Sequence, residues 1–128
     1  MKKVLILVIA GILFNACGKW SDNIHLSVKN ATFRAEADSI IITTKGTSWW
    51  IDNVTIDNTS YSYYNNDSIN LLGDSYILKD DCFIVEKRDR TTIFVKLDAN
   101  TTGNEKYMTI TFEAGDYFDY VHIKQLAE

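Results

Sequence analysis

From Ile24 onward the chain alternates apolar and polar side chains over short stretches, separated by clusters of Asn, Asp, Gly and Ser. Such alternation predicts strands with one buried face, because successive side chains of an extended backbone point to opposite sides. The clearest case is Thr92 to Leu97, where Ile93, Val95 and Leu97 share one face while Thr92, Phe94 and Lys96 share the other. Asp98 to Asn104 is a turn by composition. Lys106 to Phe112 resumes the pattern with Met108, Ile110 and Phe112 together, Ala114-Gly115-Asp116 turns the chain, and Tyr117 to Gln125 aligns Val121 with Ile123. These three segments read as an antiparallel meander with hairpin-length loops.

Upstream, Ile24 to Lys29, Thr32 to Ala35, Ser39 to Thr44 and Ser48 to Thr55 continue the pattern, with Lys45-Gly46-Thr47 as a tight turn. Tyr61 to Tyr64 and Tyr76 to Leu78 are weaker strand candidates, and Cys82 to Glu86 is a stronger one. Asn65 to Ser68 and Leu72-Gly73-Asp74 interrupt the middle of the chain. The region shows no sustained helical stripe. The expectation is an all-β sandwich in which two sheets bury one face each, with a closed barrel as the alternative that the same spacing allows.

The first residues follow another rule. Lys2-Lys3 precede an apolar run from Val4 to Phe14, and Asn15-Ala16 lead into Cys17. That is the layout of a secretory signal, too short to span a bilayer comfortably. A cysteine directly after a small residue at the end of such a run resembles the lipobox of bacterial lipoproteins. The resemblance implies that residues 1–16 are removed and that the Cys17 thiol is acylated, anchoring the chain to the outer membrane, with the side it faces left open. An ordinary signal peptide followed by an unrelated cysteine is the alternative. The expected organisation is then a signal over residues 1–16, a lipidated tether over 17–23 and one domain over 24–128. The polar stretch Gly18 to Asn23 reaches only ~20 Å when extended, so the domain would sit close to the membrane.

Removing residues 1–16 from the 128 leaves 112, enough for one core and too few for two. It also removes two lysines, leaving 11 basic residues against 17 acidic ones. Nucleic acid is therefore not an expected partner, since it is bound through clustered Lys and Arg. If Cys17 carries acyl chains, Cys82 has no intramolecular partner and the fold must hold by packing alone. Cys82 follows Asp80-Asp81, whose charge raises a thiol pKa, so it reads as a small buried hydrophobe rather than a nucleophile.

The segment Phe33-Arg34-Ala35-Glu36-Ala37-Asp38-Ser39-Ile40-Ile41-Ile42-Thr43-Thr44-Lys45-Gly46-Thr47-Ser48-Trp49 resembles the opening of a BACON domain (Bacteroidetes-associated carbohydrate-binding often N-terminal). That family reads as a Phe-x-Ala strand, a Val/Ile/Thr run, and a small-residue turn before Ser-Trp. Thr92 to Lys96, Asn100 to Lys106, Met108 to Thr111 and Val121 to Gln125 resemble its closing strands, so the likeness runs from about Ser27 to Gln125. Asp81-Cys82-Phe83 stands where the family commonly has a second tryptophan, and Ile56 to Lys79 is longer and more aromatic than usual. The resemblance implies an immunoglobulin-like antiparallel β-sandwich of about seven to nine short strands. It also implies a carbohydrate-related role.

Enzyme chemistry needs convergent groups, and none is legible: no cofactor and no enzymatic activity are expected. His25 and His122 lack zinc-ligand spacing, and His122 reads as an exposed strand residue beside Tyr120 and Lys124. Asp80-Asp81 and Asp116 with Asp119 do not match a calcium loop and read as solvated turns. The candidate site is aromatic: Tyr61, Tyr63 and Tyr64 stand next to Asn65 and Asp67, offering rings for the apolar faces of sugars and polar groups for their hydroxyls. Trp50 joins them if Trp49 and Ile51 point inward, as the family's Ser-Trp pattern implies. Packing of these rings along sheet edges is the competing account. Ser39 and Ser68, in Asp38-Ser39-Ile40 and Asp67-Ser68-Ile69, resemble a short bacterial O-glycosylation motif. The leading expectation is a non-enzymatic, lipid-anchored envelope module that binds glycan weakly. The alternative is a structural or assembly subunit contacting another envelope protein.

Overall fold

The computed structural model describes residues 22–128. The signal segment, Cys17 and the tether as far as residue 21 lie outside the described residues. Nine strands follow in order: β1 (Asn30–Phe33), β2 (Asp38–Thr43), β3 (Trp50–Ile56), β4 (Thr59–Tyr61), β5 (Tyr76–Asp80), β6 (Phe83–Asp89), β7 (Thr92–Leu97), β8 (Lys106–Ala114) and β9 (Tyr117–Gln125). They form a five-stranded sheet in the order β1-β9-β8-β3-β4 and a four-stranded sheet in the order β2-β7-β6-β5. With β2, β7 and β6 as strands B, E and D, and β9, β8 and β3 as G, F and C, this is the immunoglobulin-like Greek-key arrangement. The fold is therefore an open sandwich and not a barrel.

Alternation explains the core. Ile93, Val95 and Leu97 of β7, Met108, Ile110 and Phe112 of β8, and Val121 and Ile123 of β9 are all buried, and one cluster joins them to Ile42, Val54, Leu78 and Val85. Each such side chain contributes ~1.5–3 kcal/mol through removal from water. Trp49 lies edge-on to Phe112, with ring centroids 5.6 Å apart. Asn100, fully buried, pins the β7–β8 turn: its Nδ2 donates to the carbonyls of Asn104 (2.7 Å) and Leu126 (3.1 Å), and its Oδ1 accepts from the backbone N–H and hydroxyl of Thr102.

Several expectations need correction. The sandwich of nine strands is the one expected, and within it a single pairing, β1 with β9, is parallel. Ile24 to Lys29 forms no strand: it makes one bridge, from Leu26 to Thr44, and scattered backbone bonds in which the Ser27 N–H donates to the Thr43 carbonyl and the Lys29 carbonyl accepts from the His122 N–H. The Asp22 carboxylate there accepts from the N–H groups of Ile24 and His25, and His25 takes a left-handed backbone with φ of 55°. That local bonding draws the backbone away from a ladder. The strand expected over Tyr61 to Tyr64 ends at Tyr61, because the Asn66 N–H donates to the Tyr63 carbonyl and the Asn66 side chain accepts from the Ser68 N–H, closing a turn. Asp119 is no solvated turn residue: it is buried on β9 and ion-paired with Lys29 at 3.0 Å, a contact that raises the Lys29 pKa. Cys82 is half-buried against the core, and burial is the first cause of its raised thiol pKa, ahead of the aspartates.

Candidate functional site

Trp49 and Ile51 point inward and Trp50 outward, as alternation requires. The next step breaks the rule. Ile51 pairs with Phe112 and Asn53 with Thr111, so the register shifts between them and Asp52 is the extra residue of a β-bulge. Asp52 and Asn53 are both half-buried between the buried Ile51 and Val54, so the bulge brings two successive polar side chains to the outer face beside Trp50. The buried Tyr76 hydroxyl accepts from the Ile51 N–H at 3.0 Å, compensating for the disturbed ladder.

Tyr64 completes the arrangement. The Trp50 indole N–H donates to Tyr64 Oη at 3.0 Å, and the Tyr64 hydroxyl donates in turn to Asp52 Oδ1 at 2.6 Å, with Glu113 Oε2 3.5 Å away. Burial and the bond to Asp52 push the Tyr64 phenol up to about 12. Partial burial, followed by the Asp52 charge, raises the Glu113 carboxyl as well. Two rings and two carboxylates are thereby tied into one network on the outer face of the five-stranded sheet. A concavity of about 430 Å³ adjoins it, lined by Trp50, Tyr64, Ile69, Asn70, Leu71 and Leu72.

Sheet register extends the face. Trp50 stands opposite Glu113, and Glu113 opposite Phe118; in the next row Asn53, Thr111 and Tyr120 are partners. Phe118 and Tyr120 are 43% and 44% exposed, so the aromatic surface continues across three strands. Tyr120 stacks on His122, whose Nδ1 lies 3.1 Å from Thr109 Oγ1, and His122 is exposed as alternation predicts.

The structure separates the tyrosine cluster. Tyr64 joins Trp50, but Tyr61 turns its half-buried ring edge-on to Phe83 at 5.2 Å. Tyr63 packs against the core and donates its hydroxyl to the Lys79 carbonyl at 3.3 Å, and burial pushes its phenol up to about 12. These two rings behave as edge packing. Asn65 and Asp67 are exposed in the turns around Tyr64 and Ser68 and make no hydrogen bond to the Trp50–Tyr64–Asp52 network. Ser39 on β2 and Ser68 in the second of these turns are exposed and stand far apart in the chain.

Sequence reasoning missed Asp52, Glu113, Phe118 and Lys87. Phe118 was available from alternation along β9, and so was Lys87, which follows Phe83 and Val85 at an inward position of β6. Asp52 was not available, because a bulge leaves no clear mark in the pattern. Lys87 is only 2% exposed, and its Nζ donates to the Trp49 carbonyl at 2.9 Å and lies 4.2 Å from the centroid of the Trp49 ring. Desolvation lowers its pKa. It lines a second concavity of about 310 Å³, shared with Trp50, Leu72, Asp74 and Arg90.

No family model matches the chain and no curated protein matches it. Among solved structures, the NMR structure of a protein from Bacteroides thetaiotaomicron is similar over 88% of this chain and 93% of its own, with 21% identity and a TM-score of 0.66. Titin domain M7 aligns over 87% of this chain and 99% of its own, with 11% identity and a TM-score of 0.45. The Bacteroides structure thus shares the fold of this chain.

Proposed function

We propose that this chain is a non-enzymatic, lipid-anchored binding module of the bacterial cell envelope that takes up glycan on the outer face of its five-stranded sheet. The observation that carries the reading is the Trp50–Tyr64–Asp52 hydrogen-bonded chain beside an open apolar concavity. A sugar ring offers apolar C–H faces and a rim of hydroxyls; Trp50 and Phe118 supply surfaces to stack on, while Asp52, Glu113 and Asn70 supply hydrogen-bonding partners. The BACON-like sequence segments support the same ligand class, and the lipobox-like residues before Cys17 support the anchor. A glycan array followed by tryptophan-fluorescence titration tests the binding. Saturable binding that is lost in Trp50→Ala and retained in Tyr63→Ala is expected; no saturable ligand, or identical binding by the Trp50 variant, overturns it.

A second reading, a structural or assembly subunit, draws on the same exposed aromatics. Phe118, Tyr120 and the 54%-exposed Tyr107 form apolar surface of the kind that protein partners cover. Recovery of one envelope protein with the acylated chain, lost in Phe118→Ser, would favour that reading over sugar.

A further inference from the structure

Lys87 is the only buried lysine among the described residues. An ammonium has three donors, and the Trp49 carbonyl takes one. The faces of Trp49 and Tyr76, 4.2 and 5.7 Å from Nζ, supply cation–π attraction. No carboxylate among the described residues lies within ion-pair distance of it. Holding a desolvated cation without a counter-ion is costly, and an alkyl side chain would fill an inward β6 position without that cost.

Its surroundings indicate what the charge is for. The concavity of about 310 Å³ that Lys87 lines also carries Thr47, Ser48, Arg90 and Asp74 on its wall. Arg90 Nε is paired with Asp74 at 2.9 Å, so the wall holds two cations against one carboxylate. Trp50 and Leu72 line both this concavity and the apolar one beside Tyr64. A ring seated on Trp50 therefore meets a cationic recess on one side and the Tyr64–Asp52 pair on the other.

The geometry points to this recess as the subsite for an oxyanion carried by the glycan, a uronate carboxylate or a sulfate ester, with Lys87 as its counter-charge and Thr47 and Ser48 as hydroxyl donors. The inference rests on the glycan reading of Trp50. With 11 basic against 17 acidic residues after removal of residues 1–16, the chain repels an extended polyanion, so the fitting ligand is a largely neutral chain bearing an isolated acidic unit.

Calorimetric titration of the purified protein with matched saccharides tests it. Glucuronosyl-xylotriose is compared with xylotetraose, and a 6-sulfated galactobiose with its unsulfated parent. In at least one pair the acidic member is expected to bind about ten- to a hundredfold more tightly, the range for a charge-assisted hydrogen bond. The pair that shows the preference distinguishes carboxylate from sulfate ester. Lys87→Met should abolish the preference while leaving the neutral sugar bound, and Arg90→Gln, at an exposed position, should reduce it even if Lys87→Met folds poorly. Equal binding within both pairs, or a preference that survives both substitutions, overturns the anion subsite and leaves the Trp50 platform standing. Failure of all four saccharides also overturns it, while the platform itself is decided by the glycan array.

Discussion

Replacing Lys87 with methionine removes the charge and shortens the unbranched side chain by one atom, the Nζ itself. Three contributions compete at neutral pH. Loss of the ammonium bond to the Trp49 carbonyl costs ~1.5–3 kcal/mol, and loss of the cation–π contact costs ~0.5–2 kcal/mol. Against these stands relief of a desolvation penalty of several kcal/mol. The opposing effects leave the variant within ~2 kcal/mol of the parent at pH 7. The pH dependence is more decisive, because its sign does not depend on that balance. Burial lowers the Lys87 pKa in the folded chain below its unfolded value, so the unfolded chain binds more protons between the two. Stability attributable to Lys87 must therefore rise as pH climbs through the folded pKa and level off above about 10.5, with a slope of at most ~1.4 kcal/mol per pH unit. Arg90 contributes to the lowering and Asp74 opposes it. Guanidinium melts of both proteins from pH 7 to pH 10.5 provide the difference, in which tyrosine ionisation cancels. The parent should gain on Lys87→Met across this range. Parallel curves, or a parent that loses ground, would show a paired or solvated ammonium and refute the reasoning.

Three further outcomes follow from the same geometry. Asn100→Ala removes four hydrogen bonds within a fully buried turn and should cost ~2–4 kcal/mol in chemical denaturation; a loss below ~1 kcal/mol would show that the turn holds without them. Gly46→Ala would place a methyl group inside contact distance of the Asn23 carbonyl, so ~1–3 kcal/mol of stability should be lost, whereas an unchanged melting curve would mean that the Asn23 segment simply shifts. Tyr64→Phe deletes the hydroxyl between Trp50 and Asp52; sugar affinity should fall about three- to tenfold with thermal stability nearly unchanged, and full affinity would dissociate that hydroxyl from the site.

The meander at the C-terminal end was legible because its alternation is regular. In β7, β8 and β9 every inward side chain named from the sequence is buried, since period two translates directly into faces when no bulge intervenes. The N-terminal end was less legible: Asp22 bonds to its neighbours' N–H groups and stops a strand that hydrophobicity alone predicts over Ile24 to Lys29. The parallel pairing of β1 was invisible for a different reason, as partner and direction are set by long-range register. At the site, alternation placed Trp50 correctly but could not tell which tyrosine would join it. Tyr61 and Tyr63 are drawn to Phe83 and the Lys79 carbonyl, and only Tyr64, inside the turn closed by the Asn66 N–H and the Tyr63 carbonyl, reaches Trp50. Asp52 enters through a bulge, and Lys87 was masked by the habit of reading lysine as solvent-facing.

Amide chemical-shift mapping with a glycan from the array tests most directly whether the outer sheet face is the binding surface. Shifts concentrated at Trp50, Asp52, Tyr64, Glu113 and Phe118, saturating together with one affinity, are expected. Shifts confined to the Asn65 to Ser68 turn, or spread over the opposite sheet around Ile41 and Ile77, would contradict binding there.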